Sequence, residues 1–236
     1  MTAEVWAEGQ SWAASEASAP QAQRDQHKSQ HKREDLLSQK APSKLAEAAF
    51  YAVTSHQGQV RKGTSIPYVS HLFAVAAIVM ENGGDEELAC AALLHDVIED
   101  CGAEHEPEIL ARFGARVARI VRACSDTDVQ PKPPWRARKQ AYLDHLETAD
   151  HDTLLVSCAD KLHNARAIVA DLHVHGPGML SRFNAPPGGT EWYYAALADA
   201  FSRHLPGPMS CELNIAAREL DRIVATVQAA WRSPGG

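Results

Sequence analysis

The sequence predicts an all-α protein: a helical bundle preceded by a polar N-terminal segment. Three observations predict it. From residue 41 onward apolar residues recur at helical spacing, and Val, Ile and Thr fall in that rhythm rather than alternating as in strands. The apolar runs are bracketed by residues that start and stop helices. Strand-like alternation bounded by turns is absent.

Taken in order, the first forty residues are Ala, Ser, Gln and charge with little periodicity. Such a segment buries too little surface to offset the entropy of ordering it, so residues 1–40 are expected to be a disordered tail. His27 and His31 share a helical face within it, and in so polar a context read as solvated. Pro42 suits the first turn of a helix through KLAEAAFYAVTSH. RKGTSIP, 61 to 67, is a polar loop containing proline, and loops on a rigid scaffold commonly carry binding groups. His71 stands near the start of a helix continuing through FAVAAIVM. Asp85 is placed to cap EELACAALLHDV and Asp152 to cap TLLVSCADKLHNARAIVADL, while Gly83, Gly102 and Gly114 sit where helices should stop. SDTDVQPKPP, 125 to 134, is a second loop. The last helix sets Leu213, Ala217, Leu220, Val224, Val227 and Trp231 on one stripe, a docking face for the bundle.

At 236 residues the chain fits one domain of ordinary size plus the tail. A net charge of −7 disfavours broad nucleic-acid binding but is compatible with a local basic pocket for a phosphorylated small molecule. Of five cysteines, Cys90, Cys124 and Cys158 lie among apolar helical residues without CxxC spacing, which points to reduced, buried thiols in the cytoplasm rather than a disulfide scaffold or thiolate zinc site. FAVAAIVM, the longest apolar run, is too short to span a bilayer, and the N-terminus lacks the order of a signal peptide, so no membrane partner is expected. None of these features sets an oligomeric state.

The segment AALLHDVIED begins as a buried helix and ends in one imidazole and three carboxylates. On a continuous helix His95 and Glu99 share one stripe, and Asp96 and Asp100 its neighbour. Adjacent carboxylates are costly to bury unless a cation compensates them. Taken alone, the segment is equally readable as a solvated helix end. Asp160 changes the balance: it follows the apolar run Leu154 to Ala159 in mid-helix, where an unpaired carboxylate costs several kcal/mol if buried. With His71 it completes a set of two imidazoles and two carboxylates, His71, His95, Asp96 and Asp160, from three helices. Mixed nitrogen and oxygen ligation without thiolate suits Mn²⁺, Fe²⁺, Co²⁺ or Zn²⁺ better than Ca²⁺ or Mg²⁺.

The order HQGQVRKGTSIPYVSH, AALLHDVIED, FGARVARIV and CADKLHNAR resembles the HD-domain hydrolases of the guanosine tetraphosphate alarmone (p)ppGpp. These comprise the hydrolase half of the bifunctional Rel/SpoT enzymes and stand-alone small alarmone hydrolases of the animal Mesh1 kind. The resemblance spans roughly residues 45 to 205. It implies a metal-dependent phosphohydrolase domain over 41–236, Mn²⁺ held by His71, His95, Asp96 and Asp160, and release of pyrophosphate from the 3′ position. It implies that Glu99 and Asp100 orient or deprotonate the attacking water and help the leaving group. Arg61 and Lys62 are implied to lie against base and phosphates, and Asn164 to contact the ribose. With no room for the synthetase domain of bifunctional relatives, the chain is expected only to degrade the alarmone.

Other groups carry two readings each. Lys132, Arg136, Arg138 and Lys139 are phosphate contacts or a solvated basic face. Tyr193 and Tyr194 cover a nucleotide or belong to the core, the latter being commoner at helical spacing. His163, one turn from Asp160, supports a ligand or the core. The sequence departs from the long enzymes in one extra residue between Arg61 and His71, in Leu72 where Pro is usual, and in Ala167 where a Thr contacts the base. Guanine and adenine alarmones therefore both remain open as substrates. Alternative functions are another HD phosphohydrolase, acting on a nucleotide monophosphate or the 2′-phosphate of NADPH, and a metal-retaining nucleotide-binding or antitoxin-like partner. Intact Glu99 and Asp100 argue against the last.

Overall fold

The computed structural model describes residues 43–125 and 133–232. The expected N-terminal tail and most of the 125–134 loop, including Lys132, lie outside these residues. Among the described residues the regular elements are helices, as expected: α1 Lys44–Ser55, α2 Val69–Glu81, α3 Glu86–Leu94, α4 Val97–Cys101, α5 His105–Phe113, α6 Ala115–Cys124, α7 Trp135–Leu146, α8 His151–His175, α9 Gly189–His204 and α10 Pro208–Arg232. A 3-10 turn, Pro177–Arg182, joins α8 to the loop before α9. None of these helices is long and apolar enough to cross a membrane.

Helix α3 lies at the centre. Leu88 to Leu94 are buried without a break, so it is apolar all round, as a helix enclosed by others must be. It packs against α1, α2, α6 and α8. Asp85 caps it as expected, accepting from the Leu88 N–H at 2.9 Å. Ser43 does the same for α1 through the Ala46 N–H. Helix α10 lies along α8 and α9, burying Leu213, Ala217, Leu220 and Val224 of the expected stripe. The Trp231 side chain lies outside the described residues.

Two local expectations are corrected. Helix α8 is capped by Asp150, whose carboxylate accepts from the Thr153 N–H at 2.9 Å. Asp152 lies inside the first turn and accepts instead from Arg116 Nε at 2.7 Å. Arg116 also pairs with Asp85 at 2.6 Å, so this one guanidinium joins the N-termini of α3, α6 and α8. The continuous helix expected through AALLHDVIED is broken. Helix α3 ends at Leu94, Asp96 takes φ −98° and ψ −3°, and α4 restarts with the Asp100 N–H on the Asp96 carbonyl. The His95–Glu99 stripe drawn for an unbroken helix therefore crosses the break, while Asp96, the N-cap of α4, and Asp100 remain one turn apart.

The 56–68 segment is a loop, as its composition implied, but an ordered one. Its two arms are held by the Arg61 N–H to the Ile66 carbonyl (2.8 Å) and the Tyr68 N–H to the Gln59 carbonyl (2.9 Å), around one antiparallel bridge between Val60 and Pro67.

Candidate metal centre and adjoining cleft

Four side chains from three parts of the chain meet at one buried point. His71 comes from the first turn of α2, His95 and Asp96 from the α3–α4 break, and Asp160 from the middle of α8. His71 and His95 are each 1% exposed. His71 Nε2 lies 3.2 Å from Asp160 Oδ1 and 3.6 Å from Asp96 Oδ2; His95 Nε2 lies 3.0 Å from Asp96 Oδ2 and 3.7 Å from Asp160 Oδ1. The break at Asp96 makes this possible, since neighbouring residues on a regular helix diverge by about 100°.

Hydrogen bonds to the far side of each ring set its tautomer. His95 Nδ1 donates to the Ala92 carbonyl at 2.7 Å, leaving a lone pair on Nε2. His71 Nδ1 lies 2.8 Å from His163 Nδ1, and Arg61 approaches that same His163 nitrogen at 3.4 Å. Arginine only donates, so His163 Nδ1 is the acceptor and His71 supplies the proton between the two rings. Burial, with His71 and Arg61 nearby, pushes His163 down to about 4, which keeps it neutral for this task. His71 Nε2 is therefore also a lone pair aimed at the cluster. His163 thus supports a cluster imidazole.

Neither buried Nε2 has a hydrogen-bond partner, although carboxylate oxygens surround both. Two lone-pair nitrogens facing two carboxylates repel one another unless a cation joins them. His71, His95 and Asp96 offer ligand atoms all within 4.8 Å of each other, and Asp160 Oδ1 completes the ring of donors. This is a buried His/Asp cluster with the composition of a divalent-metal site.

A second layer holds the carboxylates. Tyr68 donates to Asp96 Oδ2 at 2.5 Å; burial and the Asp96 and Asp100 charges hold its hydroxyl far above the usual tyrosine range, so it remains a donor. Asp160 accepts from Lys161 on one oxygen and from Asn164 on the other. Burial opposes ionisation of Asp160, but the Lys161 ammonium outweighs it and holds the carboxyl well below its usual range. Asn164 in turn accepts from Arg61 at 2.8 Å, so a single amide joins Arg61 to Asp160. Lys62 donates to Asn184 at 3.1 Å and, with Arg61, lines a small recess. Glu99 is half-buried on α4. Asp100 is an exposed residue, yet the protein packed around its carboxyl and the Asp96 charge raise that carboxyl above the ordinary value.

Beside the cluster opens a cleft of about 250 Å³ whose wall includes Arg61, Lys139, Lys161, Asn164, Phe183 and Tyr193. Tyr193 and Tyr194 are core residues, each more than nine-tenths buried, and each also lines this cleft. Lys139 lies 5.1 Å from the Tyr193 ring centre, whereas Arg136 is exposed and stacks on Trp192 outside it. A smaller recess of about 140 Å³ shares Arg61, Asn164 and Phe183 and adds Ala167, Asp171 and Arg182. A larger groove of about 670 Å³ between α5, α6 and α7 contains no cluster residue, and its Arg119 and Arg122 are paired with Asp150 and Glu106.

Tyr68, Lys161, Gln59 and Phe183 escaped the sequence reading. Tyr68 lies three residues before His71 and Lys161 directly follows Asp160, but neither spacing says which atom the side chain reaches. Nothing in the chain pattern pointed to Phe183.

Fold and site together define a helical protein built around a His–Asp centre, the HD-domain class. Residues 48–175 match the HD domain family, and the chain belongs to it. The Danio rerio guanosine-3′,5′-bis(diphosphate) 3′-pyrophosphohydrolase MESH1 is 38% identical over 125 residues, covering 52% of this chain and 67% of that protein. The bifunctional (p)ppGpp synthase/hydrolase SpoT of Escherichia coli is 35% identical over 131 residues, 53% of this chain but 18% of its own length. A solved structure of a metazoan ortholog of SpoT that hydrolyses ppGpp superposes with a TM-score of 0.58 at 26% identity, covering 80% of this chain and 97% of its own.

Proposed function

We propose that the chain is a metal-dependent hydrolase of (p)ppGpp or its adenosine counterpart, removing pyrophosphate from the 3′ position to return GDP or GTP, or ADP or ATP. The observation that carries this reading is the pair of orphaned imidazole nitrogens facing Asp96 and Asp160 beside a cleft walled by Arg61, Lys139 and Lys161. Likeness to the MESH1 and SpoT hydrolases supports the choice of substrate.

His71, His95, Asp96 and Asp160 would hold one divalent ion, with Mn²⁺ the first choice and Fe²⁺, Co²⁺ or Zn²⁺ compatible with the donor set. A bound ion supplies a more acidic water near neutral pH and neutralises phosphate charge. Glu99 accepts the proton of the attacking water, and Asp100, next to it on the same short helix, orients that water and assists the leaving group. Arg61 and Lys139 stabilise charge on the phosphates, with Lys62 at the rim. Arg61 also offers a planar guanidinium face to a purine. Asn164 holds Arg61 and Asp160 in fixed relation while its amide edge faces the ribose.

The test is direct. Protein loaded with Mn²⁺ is incubated with ppGpp, pppGpp, ppApp, NADPH and simple nucleoside monophosphates, and products are separated by chromatography. Pyrophosphate with GDP, GTP or ADP is expected. Inorganic phosphate from NADPH or a monophosphate, with the alarmones untouched, would replace the reading by another phosphohydrolase activity. Tight nucleotide binding without turnover would replace it by a binding protein.

A further inference from the structure

We propose that Gln59 is the positioning residue for Asp100, and that buried His56 fixes which way the Gln59 amide faces. The inference rests on the role given above to Asp100. Gln59 Nε2 donates to Asp100 Oδ2 at 2.8 Å, joining residues 41 positions apart in sequence. Its Oε1 lies 2.7 Å from His56 Nδ1. Only one arrangement of protons satisfies both contacts. If the amide were reversed, its oxygen would oppose a carboxylate, acceptor against acceptor; with His56 Nδ1–H donating to Oε1, the NH₂ group must point at Asp100.

His56 is held firmly enough to impose this. It is 2% exposed, its ring stacks on Tyr68 with centres 5.2 Å apart and planes 28° apart, and Cys101 Sγ lies 3.7 to 3.8 Å from both ring nitrogens. The Gln59 backbone is tied at both ends, its N–H to the His56 carbonyl and its carbonyl to the Tyr68 N–H. Asp100, by contrast, is an exposed residue. A fixed donor there adds direction rather than burying a charge. The same loop therefore aims two acids, Asp96 through Tyr68 and Asp100 through Gln59, and carries Arg61 between them.

Gln59→Met, which keeps the length of the side chain and removes its donors, is compared with Asp100→Asn and with the double variant in the metal-loaded protein. The nucleotide used is whichever of the panel the wild type turns over. Gln59→Met is expected to lower kcat by about 10- to 100-fold, the scale of a slightly misplaced catalytic group. KM is expected within about twofold of wild type, with metal content and melting temperature retained. The double variant is expected to be no slower than Asp100→Asn alone, because the partner being aimed is already gone. Multiplying losses, or an unchanged kcat in Gln59→Met, would overturn the inference while leaving the role of Asp100 standing. Wild-type rates in Asp100→Asn would overturn both. A readout independent of turnover is the Gln59 side-chain amide signal in a ¹H–¹⁵N spectrum: Asp100→Asn and His56→Asn are each expected to shift it, and Glu99→Gln to leave it in place. A signal indifferent to Asp100 and His56 would overturn the inference on its own.

Discussion

Asp160 and Asp96 are alike in charge but held differently, and the difference bears on what each substitution does. Both face the two imidazoles, but Asp160 is tied by Lys161 and Asn164, whereas Asp96 is held by Tyr68. Asp96→Ala should abolish metal binding and hydrolysis together, because it removes a donor and leaves the remaining buried groups poorly compensated. Full metal occupancy in that variant, by elemental analysis, would remove Asp96 from the ligand set. Glu99→Gln should keep the metal and bind nucleotide while losing roughly 10² or more in kcat, the usual scale for a general base; near wild-type turnover would reduce Glu99 to a helix-end residue. The base is the third question at this scale. Stacking by Arg61 is indifferent to which purine lies against it, and Ala167 offers no hydroxyl to the recess where Asp171 and Arg182 are already paired at 2.7 Å. The specificity constants for ppGpp and ppApp are therefore expected to lie within roughly one to two orders of magnitude. Arg61→Ala should impair both alike; a loss confined to one would show that other groups read the base.

Among the elements, the short helix α4 depends on how its neighbours begin and end. Helix α5, which contacts α4, gives way to α6 at Gly114, with φ 93° and ψ 171°, a conformation open almost solely to glycine. No atom lies within 4 Å of where a β-carbon would stand, so Gly114→Ala tests the backbone alone. A loss of about 1–3 kcal/mol is expected in urea unfolding, the usual cost of a non-glycine residue in such a region. A neutral result would mean that the turn relaxes freely. Leu94, fully buried at the end of α3, tests packing at the break itself. Leu94→Ala should cost about 2–5 kcal/mol as transfer and cavity contributions add.

For the whole molecule, metal binding and folding should be one equilibrium, because the donors come from residues as distant as 71 and 160 and meet only in the folded chain. An ion that binds the native state alone stabilises it by about 2.7 kcal/mol at a hundred times its Kd. For a chain of this length that corresponds to a rise in Tm of about 5 to 10 °C. Thermal melts with Mn²⁺ and with chelator should differ by that amount in the wild type and coincide in Asp96→Ala. Coincident melts in the wild type would mean that the cluster holds no ion.

Helical periodicity, the caps at Asp85 and the glycine stops were legible because they depend on residues a few positions apart, where local geometry is the cause. The metal-type set was legible for a related reason: a carboxylate inside the apolar run of α8 and a His-Asp pair ending a buried apolar helix are local costs that demand a partner, whatever the partner is. What tertiary structure decided is direction. Which groups meet at the His95–Asp96 break was decided by packing, which brings His71 from α2 and Asp160 from α8 to the same point. The α8 cap is likewise Asp150 rather than Asp152, which pairs instead with Arg116, 36 residues away. Tyr68, Lys161 and Gln59 took their roles from hydrogen bonds whose second partner is set by packing, and no spacing rule specifies which polar atom a folded chain will bring to face another.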